Sequence, residues 1–218
     1  MSVTLDSLRE AIGKALDSPK RRFTQSVELI VNLRDIDPKK PEYRFNELVE
    51  LPNPPGKTPK ICVIAGGQLA VEAKKSGADA VIVKEDLDSL ARNKKAARKL
   101  AKEYDFFVAE APLMPLVGRA LGPLLGPRGK MPTPIPPNTP LTPIIERLRR
   151  TVRIRLKDQP LVQCRIGVET MDVDKLAENA QAVLRRLEEK LERGARNISK
   201  VFVKTTMGEA VEVEAKKR

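Results

Sequence analysis

Ten of the chain's eighteen prolines lie between Pro112 and Pro143. Each removes a backbone donor and biases its predecessor away from the helical region, so this stretch excludes a long helix or a central strand. Within it, Gly118-Arg119-Ala120-Leu121-Gly122-Pro123-Leu124-Leu125-Gly126-Pro127-Arg128-Gly129-Lys130-Met131-Pro132 joins glycines, prolines and three cations in a run too apolar for a solvated linker. The expectation is a stiff, shaped connection. It holds two parts of the molecule in a fixed relation or meets a partner.

The two flanks share a texture that the middle lacks. Leu5, Leu8, Ile12, Ala15 and Leu16 fall at helical spacing. Val27, Leu29, Val31 and Leu33 then alternate with Ser26, Glu28, Ile30 and Asn32, which predicts a strand with one buried face. A second strand is expected within residues 44–51. Past the proline run, alternation returns over Val152–Leu156 and Val162–Val168, with Arg153, Arg155 and Lys157 on the polar side. A long helix follows from about Asp174 to Arg193, ended by Gly194. Final strands are predicted over Val201–Lys204 and Val211–Ala215.

The middle reads differently. Ile61-Cys62-Val63-Ile64-Ala65, Ala80-Val81-Ile82-Val83 and Phe106-Phe107-Val108-Ala109 are continuous apolar runs, as expected of strands covered on both faces. Helices are predicted between and after them: residues 68–76, a single helix from Asp86 or Asp88 to about Tyr104, Leu113–Leu121, and a closing helix over 143–150. This order reads as a parallel sheet. The fold class is therefore mixed α/β and α+β in two domains. A split, two-layer outer domain (1–56 plus 152–218) carries one open antiparallel sheet with helices. A three-layer, Rossmann-like parallel domain (57–151) is inserted into it. Pro52, Pro54, Pro55 and Gly56 mark a hinge.

Net charge is +12. A balance this basic favours a polyanionic partner, nucleic acid above all. The middle segment carries +8 of that charge and the flanks +4, so on charge alone the middle would be the RNA binder. The chain has no Trp, two Tyr and five Phe. It cannot supply a row of stacking platforms for single strands. A folded RNA, read by shape, phosphates and 2′-hydroxyls, fits better. Arg92, Lys94, Lys95, Arg98, Lys99 and Lys102 crowd one helix, either as a solvated face or as a phosphate contact.

Catalytic chemistry finds little purchase. The chain has no His, hence neither the commonest acid–base group nor the commonest zinc ligand. There is no GxSxG. Gly129-Lys130 lacks the glycine at 124 and the Ser or Thr at 131 that a phosphate loop needs, and Gly66-Gly67 lacks a third glycine in dinucleotide spacing. Cys62 and Cys164 read as small buried hydrophobes. No cofactor, metal or enzyme activity is expected. No apolar run approaches a bilayer span and no signal-peptide pattern opens the chain, so a cytoplasmic location without membrane contact is expected. The rival reading is a nucleotide- or sugar-phosphate-binding protein built on the parallel sheet.

The glycine–proline run resembles the LGPRGxMP signature of the L-one family of ribosomal proteins, which build the lateral stalk of the large subunit. Thr205-Thr206-Met207-Gly208 and Phe23-Thr24-Gln25-Ser26-Val27-Glu28 are similar to two further family motifs, in the same order, with wording like the archaeal branch. The resemblance implies the same split arrangement and direct binding of large-subunit rRNA by a monomer within the ribosome. It also implies an inserted domain that swings to meet exit-site tRNA and assist its release, and repression of the chain's own operon through its mRNA. It carries RNA contacts onto Arg22, Phe23, Ser26, Glu28, Lys40, Arg155, Thr206, Met207 and Gly208. Relatives often carry Lys or Asn after Gly167; here Val168 stands, and no contact is carried onto it. Gly126, Pro127, Arg128, Gly129, Lys130, Met131 and Pro132 are expected to serve packing and hinge support, with RNA contact by Arg128 and Lys130 left open.

Overall fold

Thr4 opens the first helix, α1 (Leu5–Leu16). Its hydroxyl accepts the Ser7 N–H at 3.3 Å, and Ser7 Oγ accepts the Thr4 N–H at 3.2 Å, a reciprocal cap. Leu8, Ala11, Ile12 and Ala15 form its buried stripe. This computed structural model describes residues 3–137 and 139–214. They divide into two units, one running up to Lys57 and resuming at Arg150, the other comprising Thr58–Arg149.

In the first unit, β1 (Ser26–Leu33) buries Val27, Leu29, Val31 and Leu33 and turns Ser26, Glu28, Ile30 and Asn32 outward. Each fully buried Val or Leu contributes about 1.5–3 kcal/mol, which fixes the face and hence the register. β2 (Phe45–Glu50) follows.

The second unit begins with β3 (Ile61–Ile64), buried throughout, and α2 (Gly67–Lys75). Then come β4 (Ala80–Ile82), α3 (Lys84–Arg92), α4 (Lys94–Glu103), β5 (Phe106–Glu110), α5 (Met114–Leu125), β6 (Thr133–Ile135) and α6 (Leu141–Arg149). The sheet order is β4-β3-β5-β6 and every pairing is parallel. Residues of α2 and α6 pack with Ile61, Val63 and Val108 on one face. Residues of α3, α4 and α5 pack with Cys62, Ile64 and Phe107 on the other. The result is three layers.

Three expectations in this unit need correction. The single helix expected to reach Tyr104 is two helices. At Asn93 the backbone leaves the helical region (φ −107°, ψ 83°), and its side chain accepts the Ala96 N–H at 3.1 Å to start a new helix. A short amide side chain competes with the helical backbone in this way. Second, the glycine–proline run is helical as far as Leu125, with Pro123 inside the helix. Val117, Leu121 and Leu125 are wholly buried at four-residue spacing, and that burial offsets the bond Pro123 cannot donate. Third, Thr133–Ile135 forms an unforeseen fourth strand. It lies at the sheet edge, where Pro134 is tolerated.

Back in the first unit stand β7 (Thr151–Leu156), β8 (Leu161–Val168), α7 (Val173–Lys190), β9 (Ile198–Thr205) and β10 (Val211–Glu212). A four-stranded antiparallel sheet runs β10-β9-β1-β8, and β2 and β7 pair separately. The single open sheet expected is thus two. At the turn between β7 and β8, the Pro160 carbonyl accepts the Leu33 N–H at 2.8 Å, which binds the start of β8 to β1; β7 takes β2 as its partner. Helices α1 and α7 cover one face of the larger sheet. The polar residues of β1 lie on the other. α7 ends at Lys190, earlier than expected, because Leu191 adopts extended backbone and buries its side chain. Gly194, at φ 53°, instead starts a short 3-10 turn. Ala215 of the predicted last strand lies outside the described residues.

Candidate nucleic-acid interface

The end of β9 runs beside the start of β1, with Thr205 opposite Val27. Past that pair, Thr206 N–H donates to Ser26 O at 3.0 Å, and Ser26 N–H donates to Thr206 Oγ1 at 3.0 Å. Next along, Met207 N–H donates to Gln25 Oε1 at 3.0 Å. Gly208 N–H closes the turn onto Thr205 O at 3.2 Å. A Cβ on Gly208 would strike Thr205 Oγ1 and lie 3.0 Å from Ser18 Oγ. Only glycine fits there without movement.

Two apolar side chains stand out of this frame. Met207 is 59% exposed and Phe23 is 52% exposed. Arg22 is exposed, and Ser26, Thr206 and Gly208 are half-buried. Glu28 sits across the ladder from Arg165 on β8 and Lys204 on β9, and it accepts from Gln163 Nε2 at 2.6 Å. A carboxylate between two cations orients them and accepts hydrogen bonds; it does not meet a phosphate directly. The bulge between Val27 and Glu28 lets β8 spend one extra residue, Ile166, and re-aims the strand end beside Ser26. Val168 is buried, and Gly56, at φ 72°, packs its backbone against it.

Not every expected contact joins this group. Lys40 follows the opposite end of β1, whose length from Ser26 to Leu33 is roughly 23 Å at strand rise. Arg155 lies on β7 opposite Asn46, near the turn where Leu161 pairs with Asn32, again toward the far end of β1. Both it and Arg153, on the polar side of this strand, are half-buried, whereas Lys157, just past the strand, is exposed and pairs with Asp158 at 3.0 Å.

The residue that holds the turn was not foreseen. Gln25 is 1% exposed. Its N–H and Nε2 donate to the two carboxylate oxygens of Glu169 at 2.9 and 3.1 Å, while its Oε1 receives Met207 N–H. Thr205, wholly buried, shares a 2.8 Å hydrogen bond with Ser18. A Gln beside the first residue of an alternating strand was the available signal. Its partners lie 144 and 182 residues away, beyond any local pattern.

The cations of the glycine–proline signature are engaged within their own unit. Arg128 Nη1 donates to Ala101 O at 3.3 Å, and Lys130 Nζ donates to Tyr104 O at 2.6 Å. Both cations cap the carboxyl end of α4, where unpaired carbonyls attract positive charge. Gly129 takes φ 66° to turn between them. Gly126 and Pro127 are exposed, Met131 is 43% exposed and Pro132 is buried.

The rival nucleotide site meets an obstacle of the chain's own making. Glu110 Oε2 accepts the Gly66 N–H at 3.0 Å, directly before α2. A carboxylate thus occupies the amino end of the helix, where a phosphate would bind. Burial pushes both Cys62 and Cys164 thiols up to about 12, away from thiolate chemistry. Among the described residues no three of Cys, Asp or Glu cluster as metal ligands, and no helix is long and apolar enough to cross a membrane.

Known proteins of one family resemble this chain over most of its length. The sequence profile of the Ribosomal protein L1p/L10e family matches residues 14–209. The chain is similar to the large ribosomal subunit protein uL1 of Thermofilum pendens, with 58% identity over 97% of this chain and 94% of that one. It shares 53% with uL1 of Methanothermobacter thermautotrophicus over 94% and 98% of the two chains, and 55% with uL1 of Thermococcus kodakarensis over 98% and 100%.

Proposed function

The chain belongs to the Ribosomal protein L1p/L10e family, and from that premise we propose that it is a structural constituent of the large ribosomal subunit that binds large-subunit rRNA directly. The observation that carries this reading is the Thr206–Gly208 turn bonded to the start of β1, with Met207 and Phe23 standing clear of it. Such a frame offers a hydroxyl, a close-approaching backbone and a pliable apolar side chain to a folded RNA. Arg22, Lys204 and Arg165 supply a charged rim. Lys40 and Arg155 would extend the contact toward the far end of β1.

The finer roles follow from the same premise. The inserted unit, Thr58–Arg149, swings on its two connections to the outer one, meets tRNA at the exit site and assists release of the deacylated molecule. The chain also represses its own operon, because its messenger presents an RNA fold like the rRNA site. It works in the cytoplasm as one copy per large subunit and catalyses no reaction.

Filter binding to the rRNA stalk fragment tests the core of this. Tight binding that survives moderate salt and weakens on Thr206→Ala supports it. Equal affinity for an arbitrary RNA duplex contradicts it.

A further inference from the structure

The densest run of cations belongs to the inserted unit, not to the unit that carries the strand-end turn. Arg92, Lys94, Lys95, Arg98, Lys99 and Lys102 are all exposed, and no ion pair with another described residue neutralises any of them. The one carboxylate of α4, Glu103, is engaged by Lys60 at 3.4 Å. At 100° per residue the five cations of α4 cover an arc of roughly 140°, while Ala97 and Ala101 face the core on the other side. Lys94/Arg98, Arg98/Lys102 and Lys95/Lys99 are like-charge pairs at four-residue spacing, each costing about 0.2–0.5 kcal/mol. The helix is held against this repulsion at both ends: Asn93 caps its start, and Arg128 and Lys130 cap its last carbonyls.

We propose that the cationic face of α4 is a second RNA-contacting surface that grips the phosphate backbone of a folded RNA irrespective of its sequence, with Arg128 and Lys130 as the positioning residues that hold it. This rests on the RNA-binding reading above and names where the inserted unit would touch RNA. Three features favour that partner. Residues 92–103 contain no aromatic side chain on which a single strand could stack. Cations one turn apart rise roughly 6 Å along a helix about 15 Å long, a row suited to successive phosphates. Flexible lysines dominate, which suits point contacts with phosphate over bidentate reading of bases.

The full chain is titrated with bulk deacylated tRNA as a probe folded RNA over a range of salt. Lys94→Gln/Arg98→Gln/Lys102→Gln is expected to weaken binding about tenfold or more at low salt and to reduce the log–log salt slope by about 2 to 3. Helix content should be unchanged, because all three side chains are exposed. Lys130→Met keeps every charge on α4 and is expected to speed amide exchange at the end of that helix and weaken tRNA binding. An unchanged affinity and slope in the triple variant would overturn the proposal, and so would poly-glutamate displacing the tRNA at equal charge. Failure of the strand-end reading would show separately, as an effect of Met207→Ala on rRNA-fragment binding that never appears.

Discussion

The Thr206 hydroxyl oxygen accepts the Ser26 N–H at 3.0 Å, joining residues 180 positions apart into one rigid edge. Thr206→Val keeps the shape and removes the acceptor. It is expected to lower stability by about 1–2 kcal/mol, whereas Thr206→Ser retains it. Urea denaturation followed by circular dichroism checks both.

Gly208 has no space for a methyl group. Gly208→Ala forces apart the Thr205–Ser18 hydrogen bond and is expected to cost about 1–3 kcal/mol. Loss of rRNA-fragment binding should accompany the loss of stability, because the turn itself moves. Replacing Thr205 by Ala in the same background should recover part of the stability by removing the hydroxyl that the new methyl group strikes.

Gln25 joins β1, β8 and the turn. Gln25→Leu fills its volume and leaves Met207 N–H and one Glu169 oxygen without their partner, an expected loss of about 2–3 kcal/mol. Amide exchange at Met207 should rise toward that of an unprotected loop. Protection unchanged from the parent chain would show that another acceptor takes the place of Gln25.

Glu47 on β2 receives Lys190 Nζ at 2.8 Å and Arg186 Nη2 at 2.6 Å from α7. The hydrogen bond from Lys190, with that from Arg186, holds its carboxyl below the usual value against the opposing effect of partial burial. The unfolded chain therefore takes up this proton first as pH falls. The stabilisation, about 1 kcal/mol for such a half-open pair, is complete above the unfolded carboxylate pKa of about 4.3 and is lost as pH drops through the lower folded value. Glu47→Gln should remove that acid-limb dependence and lower stability at neutral pH. Denaturant midpoints from pH 7 to 3 measure it.

Much of the framework was legible in residue order because burial imposes a period. Val27, Leu29, Val31 and Leu33 can share one face only as a strand, and Ile61–Ile64 can be apolar throughout only between two layers of helix. What escaped depended on partners distant in sequence or on costs met elsewhere. Nothing local distinguishes Asn93 as a helix break within a run of good helix formers. Pro123 looks like a terminator until Val117, Leu121 and Leu125 are seen to be buried. The outward residues of the strand-end site were readable from alternation, but Gln25 was not, since its meaning lies in Glu169 and Met207. Arg128 and Lys130 were equally ambiguous until their carbonyl acceptors on Ala101 and Tyr104 were located.

Met207 separates binding from folding, because its main chain holds the turn while its side chain stands 59% exposed. The most direct measurement is the affinity of Met207→Ala for the rRNA stalk fragment across a salt series, beside its stability. Stability should change by less than about 0.5 kcal/mol. Affinity should fall about tenfold, as for a buried apolar anchor, with the salt slope unchanged because no charge is removed. An affinity equal to the parent chain's, with binding abolished instead by neutralising α4, would contradict the assignment of rRNA recognition to the ends of β1 and β9.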